Sequence, residues 1–163
     1  MNQAAKIIER LALNKLQIAT AESCTGGLLA GAFTDIPGAS EVFGCGVVSY
    51  SNEMKIKLLR VSAETLAQHG AVSRETAIEM SQGVRSLSGA DFGLATTGIA
   101  GPGGGTDKKP VGLVYISLSD CRGTIVKKNV FSGNRTAVRR QTVAAVLEML
   151  EQRLDELNID MQQ

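Results

Sequence analysis

The chain holds 163 residues, 44% of them hydrophobic and 20% charged, with a formal net charge of +1. Near-neutral charge removes the electrostatic drive toward nucleic acid or an anionic membrane, and 4% aromatics without Trp offer no platform for stacking bases. No apolar run is long enough to span a bilayer and residues 1–6 lack a signal-peptide pattern, so the expectation is one cytoplasmic domain over 1–163 with its own core.

Ala4, Ile7, Ile8 and Leu11 recur at helical spacing, which predicts an opening helix. Leu16-Gln17-Ile18-Ala19 reads as a buried strand, and residues 28–34 read as a helix packed on a sheet. Between them lies Thr20-Ala21-Glu22-Ser23-Cys24-Thr25-Gly26-Gly27, a sharp strand-to-helix bend built of small polar residues. A turn at 35–40 leads into a second strand, 44–51, which delivers Tyr50 and Ser51 to its carboxyl end. Two short helices follow, 53–59 carrying Lys55 and 62–68 stopped at His69-Gly70. Ser73 has the position of an N-cap for a helix with Ala77, Met80, Val84 and Leu87 on one side. A third strand, 92–96, runs into Thr97-Gly98-Ile99-Ala100-Gly101-Pro102-Gly103-Gly104-Gly105-Thr106-Asp107, the most glycine-dense loop of the chain. Strands at 111–118 and 124–131 are joined by five residues, which demands an antiparallel pair. A last helix begins near Arg135 with Val143, Val146, Leu150, Leu154 and Leu157 on one stripe. Helices alternating with strands and a closing hairpin imply a three-layer α/β domain with a mixed sheet.

In such sheets ligands bind beyond the carboxyl ends of the strands. Three of those ends carry chemistry: Ser23, then Tyr50 and Ser51, then the 98–105 loop. Ser23 is a candidate nucleophile and Cys24 its rival, since either would stand where a helix N-terminus favours negative charge. Thr25-Gly26-Gly27 is a candidate cradle for an anion or an oxyanion. Glu22 either bonds nearby backbone or orients Lys55 or the substrate. The glycine loop matches neither a Walker A sequence nor a dinucleotide fingerprint, yet lets backbone amides approach a phosphate. The one histidine, His69, is explained by its place at a helix end, so the base left for Ser23 is a lysine, and Lys55 stands five residues past Tyr50. No His or Cys spacing fits a metal site, and no cofactor is expected. Arg135, Arg139 and Arg140 open the last helix, where cations oppose the dipole unless an anion is bound nearby.

These motifs resemble the CinA C-terminal domain family, of the nicotinamide-nucleotide amidohydrolase (PncC) type. The resemblance is carried by Ala21-Glu22-Ser23-Cys24-Thr25-Gly26-Gly27, Val48-Ser49-Tyr50-Ser51-Asn52 with Lys55, His69-Gly70-Ala71-Val72-Ser73, the 97–105 loop and Lys109-Pro110-Val111-Gly112. Leu113 and Asn134 stand where Thr and Asp are frequent in the family. The resemblance implies a three-layer α/β/α sandwich with a mixed, mostly parallel five-stranded sheet, in the stand-alone form of the domain, assembled as a homodimer. The activity it implies is hydrolysis of nicotinamide mononucleotide to nicotinate mononucleotide and ammonia, with Ser23, Tyr50 and Lys55 as the catalytic group. That favours Ser23 over Cys24. Glu22, Thr25, Gly26, Gly98, Ala100, Gly101, Arg139 and Arg140 are then the expected substrate contacts. Two competing readings are a pyridine-nucleotide-binding module without turnover and an amidase for another small amide.

Overall fold

A computed structural model describes residues 2–159. Five strands lie in the order β2-β1-β3-β4-β5. Strand β1 (Ile18–Glu22) pairs in parallel with β2 (Phe43–Val48) on one side and β3 (Phe92–Gly98) on the other. Strand β4 (Leu113–Asp120) runs antiparallel to β3, and β5 (Gly123–Val130) runs antiparallel to β4. Four of the five strands therefore share one direction and β4 alone opposes them, which is the mixed sheet expected from the order of elements and the mostly parallel one that the family resemblance implies.

Side-chain alternation along β1 divides the molecule into its layers. Ile18 enters a core shared with α1 (Gln3–Leu13), α2 (Leu28–Thr34) and α6 (Arg135–Glu156). Ala19 and Ala21 face the opposite core, shared with Leu59 from α3 (Asn52–Leu59), Leu66 from α4 (Ala63–His69), and Met80 and Val84 from α5 (Arg74–Ser88). Helices on both faces complete the α/β/α sandwich. The stripe on α6 is real in its middle: Val146, Leu150 and Leu154 are fully buried. Among the described residues no helix is long and apolar enough to cross a membrane.

Two local devices position the site. Ser51 caps α3 by accepting from the Met54 amide, so the helix starts immediately after Tyr50 and swings Lys55 back under the end of β1. On α5, Gly83 lies against the carbonyl of Leu59, with no room for a Cβ, so α5 clamps the far end of α3. The first strand is longer than its apolar run suggests: Thr20, Ala21 and Glu22 belong to β1 and all three are buried. Two-sided pairing satisfies their backbone and Glu22 has internal partners for its carboxylate, whereas the Thr20 hydroxyl has none.

Candidate active site

The bend after β1 puts Glu22 and Ser23 on opposite faces of the sheet. Glu22 turns toward α2, where its carboxylate accepts from the amides of Gly27 (3.0 Å), Leu29 (3.0 Å) and Ala30 (2.8 Å) and from the Thr25 hydroxyl (2.6 Å). Those amides are the unpaired donors at the start of α2, and the helix dipole adds to their attraction. The expected anion cradle at Thr25-Gly26-Gly27 is thus filled by the chain's own carboxylate. Glu22 neither contacts Lys55 nor faces outward, and Thr25, fully buried, bonds Glu22 and Thr96. Both residues build the bend rather than line its mouth.

Ser23 follows the opposite alternation, to the face of Ala19 and Ala21, and meets Lys55 there. Lys55 Nζ lies 3.1 Å from Ser23 Oγ and donates to the Ser49 carbonyl at 2.7 Å. The lysine is 1% exposed, while Ser23 keeps partial access to solvent. Burial strips the ammonium of water and lowers the Lys55 pKa from its usual value, against a smaller opposing effect of Cys24. A lysine held toward its neutral form against a serine hydroxyl is the arrangement a Ser–Lys dyad requires. Cys24 is chemically the reverse case: its thiol is buried in the core on the α2 side and burial pushes its pKa up to about 11. A thiol protonated at neutral pH and shut from solvent is no nucleophile.

The backbone of the bend leaves donors near the nucleophile. The Ser23 amide is spent on Thr96 O and the Gly26 amide on Ser23 O, while the Cys24 amide faces its own thiol. The Thr25 amide has no acceptor among the described residues. Gly26 and Gly27 have φ of +57° and +98°, a backbone that glycine adopts without strain. Arg139 braces this turn from α6, donating from Nε to Cys24 O (3.1 Å) and from Nη2 to Thr25 O (2.8 Å).

Tyr50 stands elsewhere than a proton relay would. It is 62% exposed and its phenol oxygen accepts from Arg135 Nη2 at 2.8 Å, whereas Lys55 reaches Ser23 directly. Arg135 also donates from Nη1 to the Gly101 carbonyl at 2.9 Å, tying the end of β2 to the glycine loop. Gly98 closes β3 where a Cβ would strike Leu113 O and Val114, and Ala100 is buried in the core. Of the three loop positions only Gly101 is joined to the Tyr50 side of the site. Arg140 lies apart, in a cleft of about 270 Å³ lined by Gly27, Leu28, Gly31, Ala32, Asp35 and Val143. His69 ends α4, with Nδ1 3.8 Å from a Glu75 oxygen and its carbonyl accepting from Lys109. Ser49, whose carbonyl holds the base, lies in the Val48–Asn52 motif, but only the fold reveals that role.

The CinA C-terminal domain model matches residues 1–154. The chain belongs to the CinA C-terminal domain family. Among curated relatives, a CinA-like protein of Endomicrobium trichonymphae is 53% identical over 151 residues, 92% of this chain and 35% of the relative. The chain spans about a third of the length of the curated relatives it matches. Solved CinA-superfamily structures agree in fold. The competence/damage inducible protein CihA from Agrobacterium tumefaciens is 43% identical with a TM-score of 0.85, covering 92% of this chain and 94% of that one. The competence damage-inducible protein A (ComA) from Klebsiella pneumoniae is 38% identical with a TM-score of 0.91, covering 94% and 95%.

Proposed function

We propose that this CinA domain is a serine amidohydrolase that converts nicotinamide mononucleotide and water to nicotinate mononucleotide and ammonia. The observation that carries the proposal is the 3.1 Å contact between the buried Lys55 amine and the Ser23 hydroxyl. Neutral Lys55 takes the Ser23 proton as Oγ attacks the carboxamide carbon. The Thr25 amide receives the oxyanion, an interaction worth ~3–4 kcal/mol per donor in comparable sites. Lys55 then gives its proton to the departing nitrogen, ammonia leaves, and water attacks the acyl-serine with Lys55 again as base. The product carboxylate is released and Ser23 recovers its proton.

Substrate recognition falls to the exposed side of the site. Tyr50 and Arg135 stand at its mouth, and Arg135 has the charge and planar donors that suit a phosphate. Arg139 already serves two carbonyls, so its part is to hold the bend, and Arg140 faces a different cleft. Assembly as a homodimer belongs to the same proposal and is read by sedimentation equilibrium. The activity is tested by ammonia release from nicotinamide mononucleotide with native protein and Ser23→Ala. Binding without release in the native protein would make it a nucleotide-binding module, and release from another amide alone would make it a different amidase.

A further inference from the structure

Ser49 sits just beyond β2, fully buried, with its backbone already committed. Its amide donates to Glu22 O at 2.9 Å and its carbonyl accepts from Lys55 Nζ at 2.7 Å. Its hydroxyl has no hydrogen-bond partner, which among the described residues is otherwise true only of Thr20 Oγ1. A buried hydroxyl left unpaired is destabilising, and native proteins rarely keep one without a use. Alternation along β2 places the Ser49 side chain on the face of Cys45 and Val47, which is also the face of Ala21. Ser23 projects to that same side, where Lys55 rises from α3.

The proton count of the Lys55 amine gives the hydroxyl a partner. Neutral Nζ has two N–H groups and one lone pair; one N–H goes to Ser49 O and the lone pair faces Ser23 O–H, which leaves the second N–H without an acceptor. Once the Ser23 proton moves to Nζ, the ammonium has three N–H groups. The added N–H faces the Ser23 oxygen and Ser49 O keeps its own, so the same N–H is still unmatched, now on a charged amine in a site almost closed to solvent, where an acceptor counts for more. The neighbouring charges are otherwise engaged. Glu22 is held by α2 across the sheet, Arg139 by the carbonyls of the bend, Tyr50 by Arg135, and Glu79 on α5 by Ser62 and Thr65. Cys24 is protonated, and Glu53 and Lys57 on α3 point to solvent.

We propose that Ser49 is a positioning residue whose hydroxyl turns about χ1 to accept the N–H of Lys55 that neither Ser49 O nor Ser23 takes, most strongly when the amine carries the Ser23 proton. The proposal rests on Lys55 being the base for Ser23. Ser49 then stabilises the charged form of Lys55, so its removal lowers the Lys55 pKa. The test is a titration of the Lys55 side chain by carbon-13 NMR in lysine-labelled native protein, Ser49→Ala and Ser49→Thr, without substrate. Ser49→Ala is expected to lower the Lys55 pKa by about one unit, and Ser49→Thr to restore it. Ammonia release should fall about tenfold in kcat with KM unchanged, its ascending pH limb moving the same way, while the melting temperature holds. An unchanged Lys55 titration in Ser49→Ala would overturn the proposal. Because that readout needs no substrate, failure to hydrolyse nicotinamide mononucleotide would sink the assigned substrate and leave the Ser49 result standing.

Discussion

Burying Lys55 costs the folded chain the hydration of an ammonium, and in the proposed reaction that burial holds the base for Ser23 toward its neutral form. The sign of the pH dependence follows. The reaction needs neutral Lys55, so turnover rises with pH through the Lys55 pKa, with a midpoint below the ordinary 10.5. A pH–rate profile checks this, and a profile flat up to the ordinary lysine range would contradict it. Lys55→Met separates function from fold: it removes the base together with the cost of burying an amine. Ammonia release should be lost while the melting temperature stays level or rises, which a thermal scan beside the assay would show.

At the scale of elements, the bend depends on a buried carboxylate turned to the opposite face from Ser23. Replacing Glu22 by Ala frees three amides at the start of α2 and the Thr25 hydroxyl, at a cost of about 3 kcal/mol or more, measurable by urea unfolding. Gly83→Ala would push α5 off Leu59 and shift α3 with Lys55. Overpacking of that kind costs roughly 1–3 kcal/mol, and here it should lower kcat as well as stability. The sequence showed the bend, the two short helices and the capping Ser73, because each has a local signal in spacing or side-chain chemistry. It could not decide between the two readings of Glu22, because which face a residue takes is set by where β1 ends, and β1 runs three residues past its apolar stretch. Tyr50 was legible as a strand-end residue, yet its partner Arg135 lies 85 positions away, a distance no local pattern spans.

Across the whole molecule, reversal of β4 brings its far end and α6 together, where Asp120 and Arg153 form a bidentate pair at 2.6 and 3.1 Å. Burial would raise the Asp120 pKa, but the Arg153 guanidinium and the amides of Arg122 and Gly123 outweigh it and hold the carboxyl below its usual value. The unfolded chain therefore binds a proton that the folded one refuses. The pair's stabilisation is present above the ordinary Asp range, about pH 4, and is lost as pH falls through the lower folded value. Asp120→Asn should cost about 3 kcal/mol at neutral pH and flatten the acid side of the stability curve, as denaturation at several pH values would show. The pair lies at the opposite end of the strands from Ser23, so turnover of the folded variant should be unaffected. The central claim concerns the other end, and the most direct measurement there is ammonia released from nicotinamide mononucleotide by native protein, Ser23→Ala and Lys55→Met. Release by the native protein alone, with the nucleotide still bound by both variants, is the predicted result. Equal release by Ser23→Ala, or none by a native protein that binds the nucleotide, would contradict the assignment of Ser23 and Lys55 as an amidohydrolase dyad.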